Sequence, residues 1–169
     1  MTQQEDMVTA GQEGGLLIVV GVDGTAASAA ALDWAAREAR LRRAALHLVL
    51  ARDPTRARRA PYARPAAPDA ADAQPEAARL DQAVGRAARL FPSGRVTSEL
   101  TDGLPAQVLA DRAAGAELLV LGSARPAADP NGPLGPVARA CLRHPPCPVV
   151  VVCSERQPLS REPAAAGRF

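Results

Sequence analysis

The chain contains no lysine; all twenty of its basic residues are arginine. That excludes any mechanism that needs a lysine, including the phosphate-binding lysine of a P-loop. Aromatic residues are nearly as scarce, at 2%. The core must therefore be built from Ala, Val and Leu, and few rings are available for bases to stack on. Net charge is only +2, so no strong field draws the chain to nucleic acid or to an anionic membrane. With two histidines, His47 and His144, and no G-x-S-x-G turn, no hydrolase triad emerges. The three cysteines, Cys141, Cys147 and Cys153, form no C-x-x-C pair and have no zinc spacing. No apolar run reaches the roughly 18 residues that span a bilayer. The opening MTQQEDMVTAGQEGG is polar and acidic, unlike a secretory signal. These absences point to a cytoplasmic protein with reduced thiols. Cys147 and Cys153, at the two ends of the last apolar run, are expected to be buried.

What the chain does have is a repeated alternation of short apolar runs and helical patterns. Leu16 to Val22 (LLIVVGV) reads as a first strand, closed by Asp23-Gly24-Thr25. A helix follows from about Ala26 to Arg43, with Ala31, Leu32, Ala35, Ala36 and Ala39 on one face. Thr25 or Ser28 could cap it. Leu46 to Ala51 is a second strand, and Pro75 to Leu90 a second helix with proline at a tolerated first position. Arg95 to Leu100 alternates like a half-exposed edge strand. Leu104 to Ala114 is a third helix, and Glu117 to Leu121 a fourth strand that stops at Gly122. A loop rich in Gly, Pro, Asp and Asn leads to a fourth helix, from Gly135 or Pro136 to Arg143. Pro148 to Cys153 is the fifth strand.

Five strands alternating with four helices imply one α/β, Rossmann-like domain. Its sheet should be mostly parallel, in strand order 3-2-1-4-5, with helices on both faces. The domain spans 16–153, between flexible tails at 1–15 and 154–169. Residues 52–74, dense in Pro, Ala and Arg, interrupt it as a mobile loop. That loop is either a solvated insertion or a basic flap carrying Arg56, Arg58, Arg59 and Arg64. In such sheets ligands bind where the strand order reverses, here between the first and fourth strands.

The order and spacing of four segments resemble the universal stress protein family. They are VVGVDGT at the first strand, LHLVLARDP at the second, SELTDGLPAQVLADRAAGAELLVLGS from third to fourth, and RHPPCPVVVV at the end. The resemblance implies a nucleotide crevice. Many members hold ATP, with magnesium, through Gly-x-x-Gly, nine residues, then Gly followed by Ser or Thr. On this chain Gly122 and Gly135 match, whereas Arg125 stands where the second glycine belongs and Pro136 where the hydroxyl belongs. Arginine there cannot let a phosphate approach the backbone closely, although its guanidinium could itself hold one. Pro136 removes a hydroxyl and an N–H together. By the same carry-over Asp23 would contact nucleotide, and Gly21, Val22, Ala51, Leu121 and Val137 would line an adenosine pocket. Asp23 could equally cap the helix that follows it. The resemblance further implies a homodimer through the fifth strand, Pro148 to Val152, whose apolar edge would pair with a second copy. The resulting expectation is a non-enzymatic regulatory dimer with an unknown protein partner and weakened or lost nucleotide binding. The alternative is an ATP-dependent switch or slow ATPase.

Overall fold

A computed structural model describes residues 15–55, 74–126 and 134–156. Within them the chain runs β1 (Leu17–Gly21), α1 (Ala26–Arg42), β2 (Ala45–Arg52), α2 (Glu76–Leu90), β3 (Val96–Asp102), α3 (Pro105–Ala113), β4 (Leu118–Pro126), α4 (Pro136–Arg143) and β5 (Val149–Arg156). The sheet order is β3-β2-β1-β4-β5, as expected, and every neighbouring pair is parallel. Residues 1–14 and 157–169, and most of the 52–74 loop with its flap arginines, lie outside the described residues.

Side chains on a strand alternate between faces, and here both faces are covered. Ile18, Val20, Leu46, Leu48 and Val120 form one apolar cluster with α1 and α2. Val19, Val49, Leu119 and Leu121 form a second with α3 and α4. The α1 face is almost all alanine: Ala27, Ala31, Ala35, Ala36 and Ala39 are buried. Such small residues let this helix lie close to the sheet. Thr25 caps α1, its hydroxyl accepting from the Ser28 N–H at 3.2 Å.

Two strands are longer than their apolar runs. β4 continues through Gly122 to Pro126, and β5 through Cys153 to Arg156, in register from Leu119↔Val149 to Pro126↔Arg156. Residues 122–126, expected to be loop, are therefore strand, and the expected domain end at 153 falls inside β5. Backbone pairing carries this extension, and hydropathy does not register backbone hydrogen bonds. β3 likewise runs on to Asp102, whose carboxylate takes a two-pronged bond from Arg52 on β2 at 2.5 and 3.0 Å.

The thiols also differ from expectation. Cys141 is buried, Cys147 is half-buried ahead of β5, and Cys153 is exposed. Burial pushes the Cys141 and Cys147 thiols up, away from the reactive thiolate.

Helix α1 ends at Arg43, held at φ 57°, ψ 35° with its N–H bonded to Ala39 O. Glycine fits this left-handed position best. Arg43→Gly should stabilise the fold by about 0.5–1 kcal/mol, read as a raised urea midpoint with an unchanged slope.

Candidate functional site

β1 stops at Gly21, whereas β4 runs on past its last β1 partner, Val120, paired only with β5. The result is a notch at the carboxyl end of β1, floored by Gly21 and Val22 and walled on one side by the projecting part of β4. Val22 closes the other side, its N–H donating to Val49 O of β2 at 2.9 Å. This is the point where strand order reverses. The Leu119 N–H donates to Pro148 O, so odd-numbered β4 amides face β5. By alternation, the Ala124 amide turns to the β1 side, past the end of that strand.

Asp23 sits at the mouth of the notch, with one carboxylate oxygen and its carbonyl already engaged. Oδ1 accepts from the Thr25 N–H at 2.9 Å and the Thr25 hydroxyl at 2.6 Å. Its carbonyl accepts from Arg79 Nη1 of α2 at 3.0 Å. The Arg79 stem covers Gly24, where an added Cβ would lie 2.6 Å from Arg79 Cδ. Gly24 has φ +85°, so both its torsion and its surroundings require glycine. Arg79 was not legible as part of the site; its only sequence signal is Glu76, three residues earlier on the helix, which it also approaches at 3.3 Å.

The two retained glycines of the motif do different work. A Cβ on Gly122 would lie 2.3 Å from the Ala27 carbonyl oxygen and 2.6 Å from the Ser28 nitrogen. Glycine there lets the backbone of β4 touch the first turn of α1. Gly135, by contrast, has open space, with the Ser123 hydroxyl 3.9 Å from an added Cβ. Its N–H donates to Ser123 Oγ at 3.2 Å, and Ser123 is buried. Pro136 is the first residue of α4. Arg125 lies in β4 at register with Glu155.

Gly21, Val22, Asp23, Gly122 and Gly135 thus converge on the notch, and Ala51 lies near the carboxyl end of neighbouring β2. Leu121 and Val137 also pack into the α3–α4 core, and Leu121 Cδ2 would lie 2.8 Å from a Cβ placed on Gly21. Strand parity puts Leu121 on the face opposite Gly122. Among the described residues no group of three or more His, Cys, Asp or Glu is placed to hold a metal ion.

His47 belongs to a separate network on the α3 face. Its Nδ1 lies 2.8 Å from the Thr97 hydroxyl and its Nε2 3.4 Å from Glu99, which Arg112 clasps at 2.5 and 2.7 Å. Burial lowers the His47 pKa from 6.5 despite Glu99, and the bond from Arg112 lowers that of Glu99 from 4.5. The unfolded chain therefore binds the His47 proton first as pH falls below about 6.5, and stability declines from there. Below about 4.5 Glu99 adds to the loss, because its contribution disappears as pH falls through its depressed folded value. His47→Gln should flatten the upper part of that decline in denaturation midpoints measured from pH 7 to 5.

The parallel order, the notch and the Asp-Gly-Thr turn occur together, and the Universal stress protein family pattern matches residues 17–152. The chain belongs to the universal stress protein family. It is 34% identical over 143 residues to universal stress protein Rv2623 of Mycobacterium tuberculosis, a match covering 82% of this chain. The chain spans about half the length of that relative, 48%. Among solved structures, a universal stress protein in complex with cAMP superposes with a TM-score of 0.57 at 23% identity, covering 82% of this chain and 97% of that one. The universal stress protein of Archaeoglobus fulgidus in complex with dAMP gives 0.56 at 22%, covering 81% and 97%. At these identities the structures establish the shared fold. No helix among the described residues is long and apolar enough to cross a membrane.

Proposed function

We propose that this universal stress protein is a non-enzymatic, cytoplasmic regulator that acts through protein contacts as a homodimer, with nucleotide binding weakened or lost. One observation carries the reading: several groups expected to meet the nucleotide already have partners within the fold. Asp23 holds the β1–α1 turn, the Gly135 N–H is taken by Ser123, and Pro136 has no N–H to offer. These residues do not fit ATP with magnesium in the manner of the family. Gly122 and Gly135 match the motif because of packing and helix entry, whether or not a ligand comes.

Titration calorimetry with ATP and magnesium tests this. The expected result is no saturable binding up to about 1 mM, a limit of roughly −4 kcal/mol. Saturable micromolar binding that disappears in Asp23→Ala would overturn it. The second reading, an ATP-dependent switch or slow ATPase, draws on the relatives crystallised with cAMP and dAMP. The same titration, extended to adenosine monophosphates, decides between them.

The dimer reading draws on the position of β5 at the sheet edge, with Val149 to Val152 half-buried. A strand of this kind invites antiparallel pairing with a second copy across a two-fold axis. Sedimentation at micromolar concentration should give twice the chain mass, and a Val151→Lys variant should sediment as monomer. A wild-type monomer at that concentration would remove the dimer from the proposal.

A further inference from the structure

Five arginines have an acidic partner among the described residues. Arg42 pairs with Glu38 and Glu117, Arg52 with Asp102, Arg79 with Glu76, Arg86 with Asp33, and Arg112 with Glu99. Four others gather, unpaired, at the opposite end of the sheet from the notch. Arg40, Arg43, Arg89 and Arg95 line one cleft of about 580 Å³, and no carboxylate lines it with them. None of the four has an ion-pair partner among the described residues. In the neighbouring cleft between α1 and α2, of about 520 Å³, Arg79 and Arg86 are tied down by Glu76 and Asp33.

The C-terminal ends of α1 and α2 account for part of this clustering, since cations are favoured there. They do not account for Arg95, which immediately precedes β3, nor for an arginine in the left-handed position 43 where glycine would be relaxed. Four exposed guanidinium groups without a carboxylate partner share one open cleft, and an anion seated there would meet all of them. The wall is a tight turn, Phe91 to Gly94, closed by the Gly94 N–H donating to Phe91 O at 3.0 Å. Phe91 lies flat on Gly94, where any Cβ would overlap its ring. Ser93 adds an exposed hydroxyl beside the arginines. Forked guanidinium donors match phosphate oxygens in pairs, and the volume is that of a small-ligand site.

We infer that this cleft binds a compact polyanion, a small ligand carrying two or more phosphate groups. A nucleic acid is disfavoured: the positive charge is confined to one cleft, a single ring lines it, and the chain as a whole carries only +2. This site is independent of the notch and of the reading proposed for it.

The test is calorimetry of the full chain with pyrophosphate and with inorganic triphosphate at about 0.15 M salt. One saturable site of micromolar affinity is expected. Arg43→Gly combined with Arg95→Gln should weaken it at least about tenfold, two charge-assisted contacts being lost. Because Arg43→Gly relaxes the backbone, that loss cannot be blamed on unfolding, and a thermal melt checks it. Arg143→Gln, at the end of α4, should bind as wild type does. The inference is overturned if neither anion binds, if the double variant binds unchanged, or if binding is instead abolished by Asp23→Ala. Binding of single-stranded DNA with both phosphates silent overturns it equally.

Discussion

Replacing Arg125 by glycine and Pro136 by serine together should raise affinity for ATP by about a hundredfold or more. The double change restores the motif's glycine at position 125 and an N–H and a hydroxyl at the start of α4. Hydrogen bonds to a charged phosphate contribute about 1.5–3 kcal/mol each, so two recovered donors raise affinity by a hundredfold or more. The Ala124 amide already turns toward the β1 side and adds to the cradle. Calorimetry with ATP and magnesium reads the result directly. Should the double variant remain silent, the loss lies deeper than these two positions. The commitment of Asp23 to the β1–α1 turn, and of the Gly135 N–H to Ser123, would then be the barrier.

The second large effect concerns stability. Gly122→Ala should cost about 3 kcal/mol, because the new methyl meets main-chain atoms of α1 that cannot rotate away. For a domain of this size the melting temperature should fall by roughly 6–12 °C. Gly135→Ala should change it by no more than a degree or two, since a Cβ there meets only ordinary contact at 3.9 Å. Two glycines of one sequence motif would thus behave oppositely. Equal losses at both would mean that Gly122 is not the packing contact between β4 and α1.

These two glycines show where sequence reasoning reaches and where it stops. The motif spacing locates both, but nothing in the spacing says that one of them faces a helix backbone. That fact arises only when β4 lies under α1, about ninety residues away in the chain. Arg79 is a similar case. On the sequence it is one more arginine on a polar helix, and folding carries it across to clasp the carbonyl of Asp23. Cys153 was expected to be buried because it ends a valine run, yet it lies on the exposed extension of β5. The flap arginines, by contrast, belong to residues outside the described structure.

By itself the sequence determined the class of fold and the resemblance to the family. Periodicity and short apolar runs are local consequences of burial on one or both faces, and they survive without coordinates. The alanine face of α1 was legible for the same reason. Only the tertiary structure decided how long β4 and β5 are, which donors the notch still offers, and which arginines lack a partner. Backbone pairing, hydrogen-bond satisfaction and charge balance each join residues far apart in the chain, and no local pattern encodes them.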